Sequence, residues 1–196
     1  MVAEKKLIIT IAGRPGSGKS TTAKGVANQL GYKHFSSGDL FRAASIKQGL
    51  DVLELNLAAE KEEGVSEIDQ LVDQRLRDIG EAEQEIVIDS RMAWHWMPGS
   101  FKVFLDLDLL TAASRILRQM TDERMQAEHI PSSPEEYAKT LQERLDSESR
   151  RYKKIYDVDP YQIANYDLVV DTATNGPEAA INIVVSEFKK WLKDES

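Results

Sequence analysis

The sequence predicts an α/β fold in which a central parallel sheet is covered by helices on both faces. Three observations carry this expectation. Short apolar runs rich in β-branched residues recur along the chain, and segments of helical spacing separate them. The first run also ends in a glycine-rich loop that opens a helix.

The first strand is expected over residues 5–12, around the run Leu7-Ile8-Ile9-Thr10-Ile11-Ala12, with Gly13 ending it. Ala23, Val26, Ala27 and Leu30 recur at helical spacing, so residues 19–30 form a helix that Gly31 stops. Residues 32–36 are a short second strand, and Ser37-Gly38-Asp39 opens a helix into Leu40-Phe41-Arg42-Ala43-Ala44. Helical spacing continues over 51–63 and 65–79, broken near Gly64. Residues 85–89 and 102–106 are buried strands that end in Asp89 and Asp106. Helices follow over 110–120 and 135–156, separated by a polar stretch at 121–134. A last strand lies at 167–171 and a last amphipathic helix at 178–192. With no repeat and no linker, residues 1–196 are expected to form a single domain. Two charged, mostly helical insertions stand out within it, at 40–80 and 118–158.

Composition narrows the function. The 196 residues are 41% hydrophobic and 30% charged, as in an ordinary globular protein. No apolar run approaches the roughly 20 residues that cross a bilayer, and the N-terminus lacks a secretory pattern. The chain has no cysteine, which excludes disulfides, thiolate nucleophiles and cysteine-held zinc. His34, His95 and His129 are far apart, against a histidine metal site. A net charge of −8 argues against a broad nucleic-acid surface. The expectation is a cytoplasmic enzyme with a local basic pocket, bound to neither nucleic acid nor membrane.

That pocket begins at Gly13-Arg14-Pro15-Gly16-Ser17-Gly18-Lys19-Ser20-Thr21. Its first eight residues fit G-x-x-x-x-G-K-[ST] without a mismatch. Glycines let backbone N–H groups turn inward around phosphate oxygens, and the following helix adds its positive end. Lys19 should reach the outer phosphates of ATP, and the Ser20 hydroxyl should ligate Mg²⁺. Asp89, closing an apolar strand, is the second candidate for the metal or its waters. A GTPase is disfavoured: the chain has no Asn-Lys-x-Asp, and Asp89-Ser90-Arg91-Met92 is not Asp-x-x-Gly.

Taken with Ser36-Ser37-Gly38-Asp39-Leu40-Phe41-Arg42 and Asp89-Ser90-Arg91, the loop resembles that of the nucleoside monophosphate kinases. The C-terminal half is similar to the compact cytidylate-kinase-like group. The stretches concerned are Arg150-Arg151-Tyr152-Lys153-Lys154-Ile155-Tyr156, Asp159-Pro160-Tyr161 and Asn165-Tyr166-Asp167-Leu168-Val169-Val170-Asp171. The resemblance implies a P-loop kinase fold with a monophosphate-binding insertion and a lid, and transfer of the γ-phosphoryl group of ATP to CMP or dCMP. It implies that Ser37, Gly38, Asp39, Arg42 and Arg91 bind the acceptor, and that Arg151 reaches the phosphates from the lid beside the catalytic Lys19. Arg144 and Arg151 lie two turns apart on one helix with Glu148 between them, so a salt-bridged surface helix is the alternative. The chain departs from the family pattern at Ser90, where glycine is usual, and at Met92-Ala93-Trp94-His95-Trp96. Two other functions stay open on sequence: a kinase for a different small acceptor, such as a sugar acid or shikimate-like alcohol, and a nucleotide-binding regulatory protein without turnover.

Overall fold

The computed structural model describes residues 4–40, 43, 67–121 and 130–194. Arg42, the helix expected over 51–63 and much of the 40–80 insertion lie outside the described residues, as do residues 122–129 of the second insertion. In chain order the elements are β1 (Ile8–Gly13), α1 (Lys19–Leu30), β2 (Lys33–Ser36), α2 (Glu67–Ala82), β3 (Ile86–Asp89) and α3 (Ala93–Trp96). There follow β4 (Phe101–Asp106), α4 (Leu109–Leu117), α5 (Pro134–Tyr156), β5 (Leu168–Asp171) and α6 (Pro177–Lys193). Residues 37–40 also begin a helical turn directly after β2.

All five strands are parallel, in the order β2-β3-β1-β4-β5. β1 is central because every one of its six residues is buried, as a strand covered on both faces requires. Its side chains still alternate between two cores. Ile9 and Ile11 pack with Ala23, Val26 and Ala27 of α1 and with Val184 and Phe188 of α6. Ile8 packs on the opposite face with Val72, Leu76 and Ile79 of α2, and Ala12 with Phe104 and Trp94. The predicted three-layer arrangement is the observed one.

From β1 the chain runs to β2 and β3 on one side and then crosses to β4 and β5 on the other. That reversal opens a crevice beyond the carboxyl ends of the strands, where α/β folds place ligands. Gly13, Asp89 and Asp106 end three adjacent strands there.

Several boundaries differ from the sequence expectation, each for a local reason. β1 begins at Ile8 and not at residue 5; the Lys6 N–H is instead taken by Gly99 O at 2.8 Å. Glu85 has φ +55°, so β3 starts one residue late. α4 ends at Leu117 because Gln119 and Met120 close tight i→i+3 bonds onto Ile116 and Leu117. The helix α3 was not anticipated, since four residues are too few to show a periodicity.

Candidate active site

The glycine loop is shaped by its backbone. Gly13, Gly16 and Gly18 take φ of +155°, +70° and +82°, a region L-residues other than glycine rarely visit. At Gly13 a Cβ would stand 2.4 Å from Leu105 O, so the loop leaves β1 hard against β4. Gly18 caps α1 with no side chain bonded to the helix end. The first N–H groups of α1 therefore remain for an anion, reinforced by the helix dipole. The Ser17 hydroxyl is buried and has no partner among the described residues, an orphan that a phosphate oxygen would satisfy.

Lys19 begins α1 and turns back to donate to Gly13 O at 3.2 Å. Burial, and after it the nearby Arg91, pulls its pKa down from 10.5 to about 8; Asp89 and Glu148 act against that. Ser20 Oγ donates to Asp89 Oδ2 at 2.5 Å, which joins the start of α1 to the end of β3. The two predicted metal-holding residues thus meet, as an all-oxygen, hard-donor pair suited to Mg²⁺. Among the described residues no group of three or more His, Asp or Glu side chains could hold a metal. A cation here would draw its other ligands from phosphates and water. Arg14, expected at ATP, sets its Nε 2.8 Å from Asp106 Oδ1 at the end of β4.

The acceptor segment closes on the same crevice. Ser37 Oγ donates to the backbone oxygen of Asp89 at 3.4 Å, and Ser37, Gly38 and Asp39 form the helical turn after β2. Arg91 follows β3 by two residues, because the buried Ser90 turns the chain with its N–H on Ile11 O at 3.1 Å. Arg91 NH1 then lies 3.2 Å from Glu148 Oε1. Glu148 above all holds its proton affinity well above the ordinary arginine value, outweighing burial.

Glu148 is the hub that sequence reading missed. Its carboxylate is buried, its Oε1 also accepts from Arg144 Nε at 3.0 Å, and its Oε2 accepts from the Tyr161 hydroxyl. Burial pushes its pKa up, but Arg91, Arg144 and Tyr161 together hold it below the ordinary value. The signal was present: Tyr137, Leu141, Leu145, Glu148 and Tyr152 line one stripe of α5, and all five are buried. A carboxylate in a core stripe must be paired. The first half of that stripe packs with Leu107, Ala112 and Ala113, so α5 is pinned by an apolar seam despite its many charges.

Arg151 is placed differently from Lys19 and Arg91. Its guanidinium pairs with Asp69 of α2, and its Nε is buried without a hydrogen-bond partner among the described residues. A second carboxylate of α2, Asp73, accepts from Trp96 Nε1 at 3.1 Å and from the Tyr156 hydroxyl at 2.6 Å. Trp94, meanwhile, packs into the core with Phe104 and Tyr166. The Trp94-His95-Trp96 stretch is thus largely a packing element, with Arg77 stacked 3.9 Å over the Trp96 ring.

The cytidylate kinase-like family matches residues 8–174. The chain belongs to that family. Among its relatives, the cytidylate kinase of Haloarcula marismortui is 37% identical, over 96% of this chain and 92% of the relative. That of Methanothrix thermoacetophila is 33% identical, over 93% and 98%. In solved structures, the shikimate kinase of Bacteroides thetaiotaomicron superposes with a TM-score of 0.61 at 16% identity, over 95% of this chain and 98% of that one. The shikimate kinase of Aquifex aeolicus gives 0.55 at 20% identity, over 95% and 99%. At these identities the structural likeness speaks for the fold alone. Family membership bears out the reading of an ATP-dependent nucleoside monophosphate kinase, and it disfavours both the other-acceptor kinase and the protein without turnover.

Proposed function

We propose that this protein transfers the γ-phosphoryl group of ATP to CMP or dCMP, yielding ADP and the corresponding diphosphate. The observation that carries the reading is the meeting of Lys19 and Arg91 in one crevice, where the Arg91 charge, after burial, helps to lower the proton affinity of Lys19. A lysine from a phosphate loop and an arginine from the end of the neighbouring strand β3 suit two phosphates facing each other. That these relatives are cytidylate kinases supports the cytidine base.

In this reading the loop 13–21 wraps the β- and γ-phosphates with backbone N–H groups, and the α1 N-terminus adds positive potential. Arg91 fixes the acceptor phosphate by a charge-assisted fork, with Ser37, Gly38 and Asp39 beside it, and Arg42 is assigned to the same phosphate from the sequence alone. An acceptor oxygen attacks the γ-phosphorus in line, the bond to the β–γ bridging oxygen breaks, and ADP leaves. Lys19 spreads the charge that develops on the transferring group. Ser20 and Asp89 would hold Mg²⁺, which when bound neutralises phosphate charge. Arg151 would exchange Asp69 for the phosphoryl group from its position on α5, closing out water that would otherwise hydrolyse ATP.

A coupled ADP-release assay over a panel of ribo- and deoxyribonucleoside monophosphates tests this. CMP or dCMP should give the highest kcat/KM. Turnover with none of them, or with a sugar acid or shikimate in preference, would overturn it.

A further inference from the structure

Glu148 belongs neither to the ATP loop nor to the acceptor segment, yet it touches three groups around the crevice. Only 4% of it is exposed, whereas the side chains of Arg91 and Arg144 are 34% and 42% exposed. The carboxylate is therefore the buried partner and the two guanidiniums are the open ones. Both reach the same oxygen, Oε1, at 3.2 and 3.0 Å. A guanidinium has five donors, so sharing one acceptor atom leaves each arginine most of its donors for another anion.

Behind Glu148 the support is rigid. Tyr161, which donates to Oε2, has its own N–H on Asp159 Oδ1 at 2.9 Å. Ser149 Oγ donates to that same oxygen at 3.0 Å, and Asn165 Nδ2 donates to Asp159 O at 2.9 Å. One turn of α5 is thereby locked to the loop that follows it. Burying a carboxylate this far is costly, and an ion pair of this kind adds little to net stability, so specificity of arrangement is the better account. With Glu148 and Asp89 in place, two guanidiniums and the ammonium of Lys19 carry three positive charges against two negative ones. Without it, the guanidiniums repel each other and diverge.

We propose that Glu148 is a positioning residue that holds Arg91 and Arg144 as one preorganised, two-armed receptor for the acceptor phosphate. This rests on the phosphoryl-transfer reading above. Arg91 comes from the turn after β3 and Arg144 from α5, so Glu148 is the only described group that bonds both. Its service is to set their separation before substrate arrives.

The test is Glu148→Gln, which keeps shape and loses charge, with Glu143→Gln on the exposed face of α5 as control. Cooperative melting establishes that each variant is folded. The expected result for Glu148→Gln is a monophosphate kcat/KM lower by about 10- to 100-fold, from a raised KM and a lowered kcat. The KM for ATP stays within about twofold, and the control matches wild type. Equal weakening toward both substrates, or no change, would make Glu148 a purely structural pair and overturn the proposal. So would a fall in monophosphate KM, which would mean that the carboxylate competes with phosphate for the arginines. If the glutamine variant does not fold, Tyr161→Phe removes only the donor at Oε2 and should raise the monophosphate KM by about threefold; an unchanged KM then overturns it. Where wild type turns over a monophosphate, failure belongs to Glu148 alone. Where it does not, the phosphoryl-transfer reading has failed by itself, and calorimetric CMP binding by the same variants decides the role of Glu148.

Discussion

Lys19 is expected to make the free protein less stable, and Lys19→Met should show it. The ammonium has one neutral acceptor, Gly13 O at 3.2 Å, and it shares the crevice with Arg91 and Arg144. Burial above all lowers its pKa from 10.5 to about 8. At about 1.4 kcal/mol per tenfold, that corresponds to about 3 kcal/mol against the folded state at neutral pH. Lys19 is half-buried, so solvent screening reduces this to about 1–2 kcal/mol. The sign follows from linkage. Folded protein holds this proton less tightly than the unfolded chain, so the cost is complete below pH 8. It fades as pH rises toward 10.5, where both states are neutral.

Without nucleotide, Lys19→Met should therefore melt about 2–6 °C above wild type at pH 6.5. The gain should shrink clearly at pH 9.5, and the variant should have no measurable kinase activity. Thermal denaturation by circular dichroism at both pH values is the assay, with the ADP-release assay beside it. A variant that melts below wild type at pH 6.5, or whose advantage is equal at both pH values, would refute the electrostatic reasoning.

Arg91→Ala should raise the monophosphate KM and lower kcat while leaving the KM for ATP nearly unchanged; equal loss toward both substrates would move Arg91 to the donor site. Gly13→Ala should cost more than about 3 kcal/mol in chemical denaturation, because its Cβ would meet Leu105 O at 2.4 Å with φ at +155°. A near-native midpoint would show that β1 and β4 can separate there. Ser20→Ala should raise the Mg²⁺ concentration for half-maximal rate, with a stability loss of about 1 kcal/mol from the lost bond to Asp89. Arg151→Ala should lower kcat by about two to four orders of magnitude with a smaller change in KM. Near-normal kcat in that variant would leave Arg151 as the partner of Asp69 and nothing more.

What the sequence made legible depended on where the information was local. β1, β3 and β4 are largely apolar runs, interrupted only by Thr10 and Lys102 before their ends, and such runs need only a count of residues to be recognised. The loop, Ser20 and Asp89 were readable for a related reason: each sits at a fixed offset from the end of a buried strand, and parallel strands bring those ends together. Pairings that cross between separate elements were not readable. Nothing near Asp69 in the chain announces Arg151, and nothing near Arg14 announces Asp106, because those partners are chosen by how helices and strands stack. Arg42 and the insertion around it lie outside the described residues, so their part in the acceptor site stands on the sequence alone.

Glu148 falls between these cases, and it shows what kind of pattern deserved weight. Read by charge, residues 143–151 mix three acids with three bases, the mark of a solvated helix face. Read by position, Glu148 occupies the same stripe as Leu141, Leu145 and Tyr152, at intervals of four, three and four residues. The two descriptions conflict at one residue only. A charge on a core stripe costs too much to be left alone, so the conflict itself predicts cations brought from outside the helix. Arg144 could be foreseen from its i,i+4 spacing; Arg91 is 57 positions away and could not. The interaction that joins the acceptor arginine to α5 is thus the one for which burial pattern and charge pattern disagree, and that disagreement was visible before any fold was.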